Sequence, residues 1–81
     1  MHFTLNSRSY CHLCQDMFDA LMALRHAGRP FTVDVIDIDT APAHVLARYD
    51  ELVPVLLGDL DRAPLCHYFL DKAAVEAYLA R

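Results

Sequence analysis

Short apolar runs alternate with amphipathic segments along the 81-residue chain. Residues 2–6 predict a first strand with Phe3 and Leu5 on one face, because alternate residues of a strand point the same way. Over residues 11–27, apolar side chains recur at spacings of three and four, which predicts an amphipathic helix. Gly28 is expected to end this helix, since glycine is the usual residue after a helix C-terminus.

The second half of the chain predicts three more strands and two more helices. The β-branched stretch 31–38 predicts the second strand, and a short helix should open within residues 39–42. Residues 53–57 and 65–69 predict an antiparallel hairpin. Asp71 is expected to cap the last helix. The predicted inward faces of the two helices consist of Val45, Leu46 and Tyr49 in the first and of Ala74, Val75, Tyr78 and Leu79 in the second.

The predicted element order is β-α-β-α-β-β-α, within a single domain over residues 1–81. Two strands joined through a helix require a parallel, right-handed crossover, whereas the closing hairpin must be antiparallel. The sequence therefore predicts an α/β fold in which a four-stranded mixed sheet carries helices on both faces.

Composition narrows the range of partners. Hydrophobic residues make up 56% of the chain and charged residues 22%, which is typical of a compact globular protein. The net charge is −4 and no basic run is present, so no nucleic-acid partner is expected. No apolar stretch reaches membrane-spanning length and the N-terminus lacks a signal-peptide pattern, so we expect a cytoplasmic protein without a membrane partner. We also expect a monomer.

The motif Cys11-His12-Leu13-Cys14 lies between the first predicted strand and the first predicted helix. A Cys-x-x-Cys in this position is typical of thiol–disulfide oxidoreductases. The unsatisfied N–H groups and partial positive charge of a helix N-terminus stabilise a thiolate, which is the nucleophile in disulfide exchange. The second cysteine lies one turn further on, on the same side of the helix, and can resolve a mixed disulfide.

His12 and Cys66 leave alternatives open. Protonated, His12 would favour the thiolate of Cys11, but it would equally suit an exposed position that any residue could fill. Cys66 is expected to be a buried strand cysteine that serves packing, with a third redox or metal-binding thiol as the less favoured interpretation. A Cys₃His zinc site formed by Cys11, Cys14, Cys66 and His67 is not expected, because adjacent strand residues point to opposite faces.

The acidic segment that ends the second predicted strand does not match a known metal motif. Asp34, Asp37 and Asp39 lack the glycine and glutamate spacing of a calcium loop. We expect Asp37 and Asp39 to lie at the end of the strand and to cap the following helix. The sequence thus predicts no metal site.

Nearly the whole chain resembles the glutaredoxin-like branch of the thioredoxin fold, and is most similar to small bacterial glutaredoxin-like proteins with a Cys-His-Leu-Cys site. The segments that carry the resemblance are residues 7–14, 35–39, 53–56 and 69–71. The resemblance implies that Cys11 is the exposed nucleophile and Cys14 the shielded resolving thiol. It also implies three substrate-binding residues: Arg8 near a glutathione carboxylate, Val53 through its backbone N–H and C=O, and Pro54 as a cis proline facing the cysteines.

The chain departs from typical glutaredoxins at three places. His12-Leu13 replaces Pro-Tyr between the cysteines, and Leu52 replaces the threonine before Val-Pro. Residues 66–71 replace a Gly-Gly-x-x-Asp segment that holds the glutamyl end of glutathione. These departures predict weak glutathione binding, although glutathione could still serve as the electron donor.

The functional prediction is a thiol–disulfide oxidoreductase that works through the Cys11–Cys14 dithiol/disulfide couple and needs no other cofactor. Its substrate would be a protein disulfide or a low-molecular-weight disulfide. The alternative is a non-catalytic module of the same fold, which binds a metal or iron–sulfur centre through its Cys-x-x-Cys or serves protein contact.

Overall fold

The computed structural model describes residues 1–26, 28 and 30–81, and over these residues the elements follow the predicted order β-α-β-α-β-β-α. The strands are β1 (His2–Ser7), β2 (Thr32–Asp37), β3 (Val55–Leu57) and β4 (Cys66–His67). The helices are α1 (His12–His26), α2 (Ala43–Tyr49) and α3 (Lys72–Leu79), with a 3-10 turn over Ile38–Thr40.

The four strands found in the described residues form one mixed sheet in the order β2-β1-β3-β4. Strand β1 is parallel to β2 and antiparallel to β3, and β3 is antiparallel to β4. Leu5 lies opposite both Val35 and Leu56, and Leu56 lies opposite Cys66. These four residues therefore form one row across the same face of the sheet, which places Cys66 and helix α1 on the same side.

Alternation along β1 and β3 divides the core between the two faces of the sheet. One cluster of buried side chains joins the sheet to α1 and α3, and it consists of Phe3, Leu5, Met17, Leu21, Phe31, Leu56, Val75 and Tyr78. A second cluster covers the opposite face and includes Ile38, Tyr49, Val55 and Leu57, against which Val45 and Leu46 of α2 pack. Helices thus lie on both faces, as predicted.

Helix α3 is fixed at both ends. The Asp71 carboxylate accepts a hydrogen bond from the N–H of Ala74 at 3.1 Å, which is the predicted N-cap. Near its C-terminal end, Tyr78 donates its hydroxyl to the backbone oxygen of His2 at 3.0 Å. A Cβ at buried Gly58 would lie 2.5 Å from the Tyr78 ring, so only glycine permits this close approach.

Several predicted strands are longer than the observed ones. Strand β3 starts at Val55 rather than at residue 53, because Pro54 has no N–H to donate to the ladder. Strand β4 covers only Cys66–His67 of the predicted 65–69, because Tyr68 takes a left-handed conformation that leaves the extended region.

The start of the second helix also differs from the prediction. Strand β2 ends at Asp37, whose carboxylate accepts from the N–H of Asp39 at 3.0 Å and caps the 3-10 turn. Helix α2 then begins at Ala43, after Pro42. Asp37 thus lies at the strand end as predicted, but it caps the 3-10 turn and not α2, whose N-cap Pro42 makes no side-chain hydrogen bond. The capping prediction is wrong for Asp39, whose carboxylate pairs with Arg8 instead. Helix α1, predicted over 11–27, begins at His12. Residue 27 lies outside the described residues.

Candidate redox site

Cys11 occupies the capping position of helix α1. Its carbonyl accepts from the N–H of Gln15 at 3.1 Å, and its sulfur accepts from the N–H of Cys14 at 3.2 Å. A serine or aspartate oxygen stands in the same place in an ordinary N-cap. The Cys11 sulfur therefore lies where the helix offers an unsatisfied N–H and the positive end of its dipole, and both favour a thiolate.

The two cysteines form a disulfide, with their Cα atoms 5.2 Å apart. They differ in exposure, since Cys14 is 3% exposed whereas Cys11 is half-buried. An incoming thiol or disulfide can reach Cys11 far more readily than Cys14. This difference is the one expected between an attacking and a resolving thiol.

The strand directions bring three loops to one end of the sheet. Strand β3 runs antiparallel to β1 and to β4. The end of β1, the start of β3 and the end of β4 therefore lie at the same end of the sheet. Asn6 pairs with Val55, so the register carried one residue further places Pro54 beside Ser7. The Val53–Pro54 peptide is cis, the geometry that the resemblance implies.

Val53 and Pro54 differ in what they offer to a substrate. Pro54 is fully buried, and its carbonyl accepts from the N–H of Tyr68 at 3.0 Å. Val53 is half-buried and makes no backbone hydrogen bond to any residue that the structure describes. Its N–H and C=O remain available, and their use by a substrate stays a prediction.

Arg8 is engaged with carboxylates of its own chain. Its Nε and Nη2 donate to the Asp39 carboxylate at 3.1 and 3.0 Å, and Nη2 also pairs with the Asp50 carboxylate. Its Nη1 donates to the Asp50 carbonyl at 3.2 Å. The hydrogen bonds to Asp39 and then Asp50 raise the pKa of the Arg8 guanidinium, which stays charged. Arg8 thus ties the loop before Cys11 to the end of α2. Its role toward a substrate carboxylate stays a prediction.

Tyr68 braces the segment before Pro54 from the other side, a role that was not predicted. Its hydroxyl donates to the Glu51 carbonyl at 2.6 Å, while its N–H bonds to Pro54. Its φ of 61° lies in the left-handed region, where glycine is favoured. The available signal was that Tyr68 stands within the stretch where the resembled family has its glycine pair.

His12 is the first residue of α1, and its side chain is exposed. It makes no side-chain hydrogen bond among the described residues. Its effect on Cys11 therefore stays a prediction.

Cys66 has surroundings of a different kind. It is half-buried and packs against the cluster shared by α1 and α3. Burial raises the pKa of the Cys66 thiol; the backbone N–H of Asp71 opposes the rise and the charge of Asp71 adds to it. Within the described residues, no group of three His, Cys, Asp or Glu side chains is placed to hold a metal ion. A Cys₃His centre is not assembled there.

Comparison with known proteins identifies one family. The family model of the Glutaredoxin-like domain (DUF836) matches residues 2–80, which include the disulfide, Arg8 and the Val53–Pro54 bond. No curated protein matches the sequence. Over the residues described, no helix has the length and apolar character needed to cross a membrane.

Proposed function

The chain belongs to the glutaredoxin-like domain family and has its thioredoxin-like α/β fold, and from this premise we propose that it is a thiol–disulfide oxidoreductase. The observation that carries the proposal is the asymmetric cysteine pair. Cys11 is reachable at a helix N-terminus, while Cys14 is buried and within bonding distance of it. A pair placed only for packing would need neither the capping position nor the difference in exposure.

In the proposed reaction the reduced protein transfers two electrons to a substrate disulfide. The Cys11 thiolate attacks one substrate sulfur, a mixed disulfide forms, and the other substrate sulfur leaves as a thiolate that takes a proton from water. Cys14 then loses its proton and attacks the Cys11 sulfur. The second substrate thiolate leaves, and the Cys11–Cys14 disulfide remains. A thiol reductant, for which glutathione is one candidate, returns the protein to the dithiol.

Trapping tests the division of roles between the two cysteines. Both variants are made in a Cys66→Ala background, so that no third thiol contributes. Reduced Cys14→Ser, reacted with a small symmetric disulfide, should accumulate a covalent mixed disulfide on Cys11, seen by intact mass, because no second thiol displaces the bound group. Cys11→Ser should not, since its remaining cysteine is buried. Equal trapping by both variants would show that the assignment of attacking and resolving thiol is wrong.

We also propose that glutathione is a weak ligand. The Arg8 guanidinium already pairs with Asp39 and Asp50, and Tyr68 fills the stretch where a glycine pair would let a backbone approach the ligand. Exchange with glutathione should then reflect general thiol chemistry rather than a formed pocket.

An NMR titration of the Cys14→Ser protein with reduced glutathione tests this proposal. We expect small shifts that do not saturate in the micromolar range. Saturable micromolar shifts clustered on Arg8, Val53 and Asp71 would demonstrate a formed glutathione site and overturn it.

A further inference from the structure

A cleft of about 610 Å³ opens beside the disulfide, between the start of α1 and the edge strand β2. Both cysteines line it, together with Phe18 of α1 and Val35 of β2. Its volume lies within the range of small-molecule sites. Neither Val53 nor Pro54 lines the cleft. The cleft therefore lies on the β2 side of the disulfide, whereas the cis proline lies on the β3 side.

Part of the cleft lining is apolar and exposed to solvent. Val35 lies next to Leu5 in the same row of the sheet, but Leu5 is fully buried whereas Val35 is 54% exposed. Phe18 is half-buried above them. Helix α1 therefore covers the central part of this row and leaves apolar surface at its β2 end, within the same cleft as the reactive sulfurs.

The charges of the cleft disfavour an ionic ligand. No aspartate or glutamate belongs to its lining among the described residues. Arg8 contributes to the lining, but its guanidinium pairs with Asp39 and Asp50. Among the described residues that line the cleft, only His12 could offer a carboxylate ligand a positive charge that is not already paired.

We propose that this cleft binds the apolar group of an uncharged, low-molecular-weight organic disulfide, and so sets the substrate class of the enzyme. The inference rests on the proposed function. The apolar group lies between Phe18 and Val35 while the Cys11 thiolate attacks the adjoining sulfur. The second half of the substrate leaves as a thiol, and attack by Cys14 releases the first half, so the two electrons come from the dithiol.

A ratio of rates tests the inference without depending on the intrinsic reactivity of Cys11. The reduced protein is reacted with 2,2′-dipyridyl disulfide, which is aromatic and uncharged, and with 2-hydroxyethyl disulfide, which lacks an apolar ring. Val35→Thr keeps the β-branched shape and adds no charge. Ile36→Thr is the matched control, because Ile36 is also exposed on β2 but points to the opposite face.

Val35→Thr should lower the aromatic-to-hydroxyethyl rate ratio about threefold, as expected for the loss of one methyl contact, and Ile36→Thr should leave it unchanged. An unchanged ratio in Val35→Thr, or an equal fall in Ile36→Thr, would overturn the cleft assignment alone. If wild-type protein reacts with neither probe faster than Cys11→Ser, the proposed function fails and the inference fails with it.

A second measurement keeps residue 35 unchanged. The Cys14→Ser protein is converted to its pyridylthio adduct on Cys11, and methyl spectra are compared before and after. The ring should shift the methyl signals of Val35 and leave those of Val53 in place. Shifts at Val53 without shifts at Val35 would place the ligand on the cis-proline side and contradict the inference.

Discussion

Two segments at the same end of the sheet, residues 8–11 and residues 66–69, each contain a cysteine and a left-handed tyrosine, yet they serve different purposes. Tyr68 (φ 61°) is held by hydrogen bonds through its hydroxyl and its N–H, whereas Tyr10 (φ 58°) is fully exposed. Cys11 caps a helix and forms the disulfide with Cys14, whereas Cys66 packs against the core. The surroundings, and not the residue type, distinguish the segment that stabilises the fold from the one for which we propose a redox role.

The largest expected difference between the two segments lies in activity. Cys11→Ser should reduce disulfide exchange to the rate of the uncatalysed reaction, because no other reachable thiol lies at a helix N-terminus among the described residues. Cys66→Ala should stay within about twofold of wild type. Reduction of 2-hydroxyethyl disulfide by the pre-reduced protein provides the measurement. A similar loss in both variants would remove the distinction between a reactive and a packing cysteine.

A smaller difference is expected in stability. Tyr68→Phe removes only the hydrogen bond to Glu51 and should lower the free energy of unfolding by about 0.5–1 kcal/mol. Tyr10→Phe is the matched control and should leave it unchanged, because the Tyr10 hydroxyl has no partner among the described residues. Urea unfolding of the oxidised proteins measures both. Equal effects would mean that Tyr68 does not brace the loop before Pro54.

Glycine substitution should stabilise the first segment and not the second. A left-handed conformation costs an L-residue about 1–2 kcal/mol, and glycine avoids this cost while adding about 0.5–1 kcal/mol of chain entropy to the unfolded state. Tyr10→Gly should therefore stabilise the fold by about 0.5 kcal/mol. In Tyr68→Gly the same gain is offset by loss of the hydroxyl contact to Glu51 and of the ring contact with His67, so we expect no net stabilisation. Chemical denaturation distinguishes the two, and a destabilised Tyr10→Gly variant would reveal contacts that hold Tyr10 in place.

The smallest expected effect concerns alkaline pH. Burial raises the pKa of the Cys66 thiol in the folded protein, so the folded state favours the protonated thiol. The associated stability is fully present below the unfolded thiol pKa of about 8.5 and is lost as the pH rises through the folded value. Melting temperatures of the oxidised protein should therefore fall less between pH 8 and pH 10 in Cys66→Ala than in wild type. Identical pH profiles of the two proteins would contradict a raised pKa of the Cys66 thiol in the folded state.

Local patterns were sufficient to predict most of the fold. The apolar spacing of residues 11–27 and the Asp71 cap depend on neighbours in sequence, and the structure has α1 over His12–His26 and the cap on α3. The Cys11–Cys14 pair is equally local, since a helix turn brings residues three apart together. These features were predictable because their causes lie within a few residues.

The contacts around the site depend on distant parts of the chain. Arg8 meets Asp39 and Asp50, which are 31 and 42 residues away, and Tyr68 meets Glu51 across 17 residues. The packing of loops at the end of the sheet determines such side-chain pairs. The hydrophobic periodicity of the sequence does not predict how these loops pack. Asp39 was therefore predicted as a cap, and the brace formed by Tyr68 was missed.

A redox titration in glutathione buffers, followed by unfolding, alkylation and mass analysis, tests directly whether Cys11 and Cys14 form a redox couple. We expect one two-electron transition, in which Cys11 and Cys14 become protected from alkylation together while Cys66 is alkylated at every potential. Cys11 and Cys14 alkylated throughout the series, or a disulfide that includes Cys66, would contradict the assignment of Cys11–Cys14 as the redox couple.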